Sequence, residues 1–197
     1  MYHNALREKT ENLDKKCIFC RVVHDGSRGK DVVMKKYKKR AEANDPFGLS
    51  QVAQDHYKKG EFKSALKMNE MAAALGDADA QFELAKMYRK GQGVEQNNEM
   101  EKFYLVRAAV AGHPHARFNL GIYEYRNYMF DRAAKHLIIA ANQGLDPAIP
   151  ALKNGYTNGW VSKEDFAAAL RAHKAAVDET KSPQREEAEN IMRKMRK

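Results

Sequence analysis

The sequence predicts an all-α protein whose helices pack in pairs, and two observations carry this prediction. Between Ala80 and Tyr88, apolar residues recur at i, i+4, i+5 and i+8, which places them on one face of a helix. Segments that end in Ala-Ala-x-x-Gly recur along the chain and close at Gly76, Gly112 and Gly144, with spacings of 36 and 32 residues. A helix–turn–helix unit with a period of this length indicates an α-solenoid, in which each unit buries its apolar faces against its neighbours.

The repeat spacing divides the chain into seven segments. We expect four helix pairs at 45–76, 77–112, 113–144 and 145–180, preceded by a basic lead-in helix at 31–44. Residues 1–30 are polar and are expected to be irregular. In 181–197, apolar residues at i, i+3, i+4 and i+7 indicate a helix that caps the last pair.

Particular residues predict how the pairs begin and pack. Asn44-Asp45-Pro46 predicts a helix start, because the asparagine or the aspartate can cap the helix N-terminus and Pro fits the first turn. Ala65, Ala133 and Ala168 share one register of the second helices and are expected in the core. Pro150 predicts that the first helix of the fourth pair kinks or begins late. Trp160, the only tryptophan, is expected to close the end of the core.

The second pair has the pattern on which a family resemblance depends. The segment 80–112 resembles the Sel1-like repeat, a relative of the tetratricopeptide repeat, written A-x-x-x-L-G-x-x-Y-x-x-G-x-G-V and followed by A-A-x-x-G. The matching residues are Ala80, Leu84, Tyr88, Gly91, Gly93, Val94, Ala108, Ala109 and Gly112. The sequence departs from the pattern at Ala85, Asn97, Met100 and Glu101. The resemblance covers roughly residues 45–180 and implies a right-handed α/α superhelix that binds partner proteins on its concave surface.

The net charge of +9 resides at the two ends of the chain. Residues 1–44 have a net charge of +6 and residues 181–197 one of +3, whereas residues 45–180 contain 17 basic and 17 acidic side chains. A nucleic-acid channel along the solenoid would need a positive lining, so nucleic acid is an unexpected partner for the repeats. The basic ends, with 28–40 foremost, leave open the alternative of a nucleic-acid-associated protein.

The pair Cys17-x-x-Cys20 has the spacing of one zinc knuckle, but four ligands are needed for a tetrahedral site. With Arg21 it resembles the last cysteine pair of a RING finger, as in algal proteins that carry a RING finger ahead of Sel1-like repeats. The other RING ligands are absent here. Three interpretations therefore stay open: an inert remnant, a partial or intermolecular zinc site, and a redox dithiol. A completed finger would make the protein part of a RING-type ubiquitin ligase, and zinc is expected only in that case.

The composition limits the class and compartment of the protein. No run of 18 apolar residues occurs, so no membrane span is expected, and the first 16 residues lack the apolar core of a signal peptide. Two cysteines are too few for a disulfide framework, which predicts a reducing compartment, cytoplasmic or nuclear. No nucleophile–base set or phosphate-binding loop is present in the pattern, so we expect a non-enzyme without a cofactor. We also expect a monomer.

The binding residues follow from the resemblance. In tetratricopeptide-like arrays the first helices line the concave face, and their outward positions here combine aromatic, amide and basic side chains. Such a surface would favour an acidic or carboxylate-bearing protein or peptide. The candidates are Gln54, Tyr57, Lys86, Arg89, Ile122, Tyr125, Arg126 and Asn154, with Lys86, Arg89, Tyr125 and Arg126 foremost.

Overall fold

The computed structural model describes residues 28–180, with side chains from Asp31 onward. This part of the chain is an all-α superhelix built from successive helices and short turns. Helix α1 (Arg28–Glu42) leads into four pairs of helices. They are α2 (Pro46–Lys58) and α3 (Phe62–Ala74), α4 (Ala78–Lys90) and α5 (Asn98–Val110), α6 (Pro114–Arg126) and α7 (Phe130–Asn142), and α8 (Ala148–Thr157) and α9 (Lys163–Glu179).

Side-chain caps fix where the first helices begin. The carboxylates of Asp45 and Asp77 accept hydrogen bonds from the backbone N–H groups of Gly48 and Ala80, each at 2.7 Å. His113 does the same for α6, because its Nδ1 accepts from the N–H of Ala116 at 3.1 Å. Each cap satisfies a backbone donor that the helix itself leaves free. The sequence Asp-Pro at 45–46 therefore starts a helix as expected.

Small residues among the buried leucines of the core let the helices approach closely. Ala72, Ala108 and Ala140, the first alanines of the recurring pairs, are completely buried. In the third pair the approach is closest at Gly121, where an added Cβ would lie 2.8 Å from Cγ of Leu137. A row of alanines and one glycine thus sets the distance between the two helices of a pair.

The register of the fourth pair differs from the prediction. Ala65 and Ala133 are completely buried, but Ala168 is exposed and its neighbour Ala169 is buried instead. The prediction was wrong by one residue because 167–169 is a run of three alanines, in which any of them could face the core. Helix α8 begins late, at Ala148, and has 10 residues where the other first helices have 13.

The long turn of the second pair packs on the pair before it. Gly93 lies so close to α3 that an added Cβ would be 2.6 Å from the carbonyl oxygen of Phe62. Beside it, the hydroxyl of Tyr57 donates a hydrogen bond to Oε1 of Gln92 at 2.7 Å. This turn therefore joins the first two pairs through backbone contact and a hydrogen bond.

The cysteine pair Cys17 and Cys20, with its zinc and RING interpretations, and the capping helix at 181–197 lie outside the described residues. Among the helices of residues 28–180, none is long and apolar enough to cross a membrane.

Candidate functional site: a basic and aromatic patch

The turns that end the first helices bring together residues from three pairs. We call this surface the basic–aromatic patch; its members are Arg89, Glu101, Tyr125, Arg126, Phe130 and Trp160. Arg89 lies in the last turn of α4, Glu101 in the first turn of α5, and Tyr125 and Arg126 end α6. Phe130 begins α7, and Trp160 lies in the turn between α8 and α9.

Glu101 organises the basic side of the patch. Its carboxylate lies 3.9 Å from Nε of Arg89 and is largely buried, with 15% of the side chain exposed. Burial raises the pKa of the Glu101 carboxyl, while the charges of Arg89 and Arg126 act in the opposite direction. Two guanidinium groups thus interact electrostatically with one carboxylate. Arg126 is exposed and forms no ion pair with another residue of 31–180, which leaves an excess of positive charge at this site.

Three aromatic rings form the other side of the patch. The ring centroid of Trp160 lies 5.5 Å from that of Tyr125 and 5.9 Å from that of Phe130, and Tyr125 and Phe130 are 5.8 Å apart. Tyr125 and Phe130 remain 41% and 36% exposed. Trp160 also packs against α8, where an added Cβ at Gly155 would lie 2.8 Å from its ring. Trp160 therefore packs on the core between the third and fourth pairs and at the same time supports an exposed aromatic surface.

The other predicted binding residues lie apart from this patch or are held by their own neighbours. Nζ of Lys86 forms an ion pair with Glu83 at 2.7 Å and lies over the ring of Phe82. Ile122 is half-buried in α6. Asn154, near the end of α8, is exposed, and its backbone carbonyl accepts a hydrogen bond from Asn158.

Tyr57 and Gln54 belong to the first pair. Tyr57 is half-buried, packs on Phe62 with ring centroids 5.3 Å apart, and donates its hydroxyl to Gln92. Gln54 is exposed on α2 and accepts a hydrogen bond from Lys58 at 3.3 Å. Both are separate from the patch around Glu101.

Two members of the patch were not predicted as binding residues. Glu101 occupies the position that Ala65 and Ala133 hold in the neighbouring pairs, so its charge in a small-residue position was the available signal. Phe130 follows Tyr125 by five residues, as Phe62 follows Tyr57, and this recurrence was visible in the sequence as well.

Solved structures with the same architecture belong to Sel1-repeat proteins. A Sel1 repeat protein from Oxalobacter formigenes superposes with a TM-score of 0.61 at 21% identity. The chain has the Sel1-repeat fold. A protective antigen present in uropathogenic Escherichia coli strains, which displays an SLR fold, superposes with a TM-score of 0.59 at 19% identity.

The overlap with these Sel1-repeat proteins is partial. The matches cover 76% and 78% of the present chain but only 63% and 35% of the Oxalobacter and Escherichia proteins. No protein-family model matches the sequence, and neither does any curated protein. At these identities the likeness establishes the Sel1-repeat fold.

Proposed function

We propose that the protein is a non-catalytic scaffold that binds a protein or peptide partner on the basic–aromatic patch, as part of the concave face predicted from the sequence. The observation that carries the proposal is the position of Tyr125 and Arg126. One end of α6 carries an exposed ring that Trp160 and Phe130 support, and the following residue, Arg126, is exposed and has no ion-pair partner among residues 31–180. Aromatic and arginine side chains contribute most of the binding energy at many protein interfaces.

The charge of the patch indicates what it would bind. Arg89 and Arg126 face one carboxylate, that of Glu101, so an anionic group of a partner could complete the charge balance. A carboxylate pairs well with guanidinium through two parallel hydrogen bonds. The partner residue that we expect here is therefore an Asp, a Glu or a chain-terminal carboxylate next to an apolar side chain that packs on Tyr125.

Affinity capture of the full chain from nuclease-treated lysate, analysed by mass spectrometry, tests this proposal. We expect a protein captured by the wild type to be lost with Tyr125→Ala/Arg126→Glu. The matched control is Tyr156→Ala/Arg107→Glu, which changes an exposed tyrosine and an exposed arginine outside the patch. If both double variants capture the same proteins as the wild type, the patch is not the binding surface. Equal loss with both would show an effect of net charge alone.

A further inference from the structure

Helix α1 occupies the position of a second helix although no first helix precedes it within the described residues. The backbone N–H of Asp45 donates to the carbonyl of Arg40 at 3.0 Å, as that of Asp77 donates to Ala72 at 3.1 Å at the end of α3. The same bond follows α5 and α7, from His113 to Ala108 and from Leu145 to Ala140. Asn44 adopts a left-handed φ of 55° where the other junctions have a left-handed glycine.

The first helices α2 and α6 end with the same backbone bond, so the distinguishing feature is the cap of the helix that follows. Asp45, Asp77 and His113 each accept a hydrogen bond from the first turn of the next helix, whereas Glu61 and Met129 make no side-chain cap. The junction after α1 therefore matches those after α3 and α5, which makes α1 equivalent to these second helices.

Among the residues that the structure describes, no helix covers the side of α1 that would face a first helix, and this side lines a groove. Two residues of the third pair, Ala133 and Leu137, lie against Gly121 of their own first helix, with 2.8 Å between an added Gly121 Cβ and Cγ of Leu137. Their equivalents 100 residues earlier are Val33 and Tyr37. Both line a groove of about 780 Å³ between α1 and α2. In each complete pair, the first helix packs on this face of the second helix. The groove therefore lies where a helix would be expected to pack on α1.

The groove combines an apolar wall with a basic rim. Val33, Met34 and Tyr37 supply apolar surface from α1, and the amides of Gln51 and Gln54 line the α2 side. Four lysines border it: Lys35, Lys38, Lys58 and Lys59. The lining has two carboxylates, Asp31 and Asp55, and Asp55 is already paired with Lys59 at 2.6 Å. Within residues 31–180, Lys35, Lys38 and Lys58 have no ion-pair partner.

We propose that this groove binds an acidic amphipathic helix of a partner protein. Such a helix would lay its apolar face on Val33, Met34 and Tyr37 and direct its carboxylates to Lys35, Lys38 and Lys58. The inference rests on the proposed scaffold function, but it uses a surface at the opposite end of the array from Trp160. It also specifies a partner class by shape and charge together.

The same features disfavour nucleic acid as the occupant. A phosphodiester backbone would have to lie along Val33 and Met34, whose side chains offer it no hydrogen-bond donor. It would also meet the carboxylates of Asp31 and Asp55, and the lining lysines exceed these by only two. A helix with one apolar and one acidic face matches both parts of the lining.

Binding of designed peptides to the full chain tests the proposal. The probe is a fluorescein-labelled helical peptide of Leu, Ala and Glu with its leucines on one face, and its counterpart carries Lys in place of every Glu. We expect fluorescence anisotropy to show binding of the Glu peptide and none of the Lys peptide. Lys35→Glu/Lys38→Glu should lower the affinity for the Glu peptide by about tenfold or more, because two attractive charges become repulsive.

The control is Lys36→Glu/Lys39→Glu, which makes the same charge change on exposed positions of α1 outside the groove and should alter the affinity by about twofold at most. Equal weakening by both double variants would overturn the proposal, as would absence of Glu-peptide binding. Displacement of the peptide by polyuridylate at equal concentration would assign the groove to nucleic acid instead. Loss of peptide binding with Tyr125→Ala/Arg126→Glu but not with Lys35→Glu/Lys38→Glu would place the peptide on the patch, which would overturn the groove proposal while supporting the proposed function. The two failures are therefore distinguishable.

Discussion

Two contact clusters of the molecule, at equivalent positions of the repeat 68 residues apart, differ in structure. The first clasp consists of Tyr57, Phe62 and Gln92, and the second clasp of Tyr125, Phe130 and Trp160. In both, a tyrosine at the end of a first helix packs on a phenylalanine at the start of the second, with centroids 5.3 Å and 5.8 Å apart.

The clasps differ in how the next pair contributes. The first is closed by the hydrogen bond between Tyr57 and Gln92 and by Gly93, which lies against the backbone of α3. The second is closed by the indole of Trp160, and its tyrosine and phenylalanine stay exposed. The first clasp is therefore a joint, that is, it connects the first two pairs. The second clasp holds an exposed aromatic surface in place between the last two pairs.

The largest expected effect breaks the first clasp at its backbone contact. Gly93→Ala would set a Cβ 2.6 Å from the carbonyl oxygen of Phe62 and impose a left-handed φ of 77° on alanine. We expect the free energy of unfolding to fall by about 3 kcal/mol or more, from steric overlap together with backbone strain. Urea unfolding followed by circular dichroism measures it.

The control for this change is Gly60→Ala, which imposes a similar left-handed φ of 79° where an added Cβ meets nothing within 4 Å. Gly60→Ala should lower the free energy of unfolding by about 1 kcal/mol, from backbone strain alone. Equal losses for the two variants would show that Gly93 makes no tight contact with α3 and that the first clasp is not a joint.

An intermediate effect follows from converting the second clasp toward the first. Trp160→Gln removes the ring contacts with Tyr125 and Phe130 and should cost about 2 kcal/mol, because a large ring is lost from the end of the core. If the oxygen of the new amide accepts a hydrogen bond from the Tyr125 hydroxyl, Tyr125→Phe will lower the free energy of unfolding more in this variant than in the wild type. A double-mutant cycle in urea, read by circular dichroism, detects that coupling. Strict additivity would show that the two clasps are not interchangeable.

The smallest expected effect compares the two tyrosine hydroxyls directly. Tyr57→Phe removes the donor to Gln92 and should lower the free energy of unfolding by about 1 kcal/mol. Tyr125→Phe should change it by no more than about 0.3 kcal/mol, since Tyr125 is held through its ring and is exposed. Thermal unfolding of the matched pair is sufficient. A larger loss for Tyr125→Phe would reverse the assignment of joint and surface.

Much of the fold could be predicted because the residues that determine it repeat. Glycines after the second helices and the buried alanine pairs recur at nearly constant spacing, so helix pairs and their order are visible in the sequence. The fourth pair was harder. A shorter α8 with Pro150 and three successive alanines in α9 leave the register undetermined until the helices are packed.

The candidate site could be predicted only in part, because it is assembled across pairs. Tyr125 and Arg126 are predicted from the resemblance. The ring contact of Tyr125 with Trp160 and the charge interaction of Arg126 with Glu101 depend on how successive turns align in space, which the sequence does not show. The groove between α1 and α2 was not predicted, because the sequence of α1 indicates only a basic lead-in helix. Its equivalence to the second helices appears in the junction that follows it, where Asp45 caps α2 as Asp77 caps α4.

The basic–aromatic patch draws on three successive pairs, and this has a mechanical consequence. The strong helix contacts of the described chain join immediate neighbours, apart from the contact between α7 and α9. Bending of such an array is therefore distributed over its junctions as in an elastic rod. The separation of Arg89 from Tyr125 changes with that curvature, so a partner that contacts both would select one curvature from the thermal range of the array.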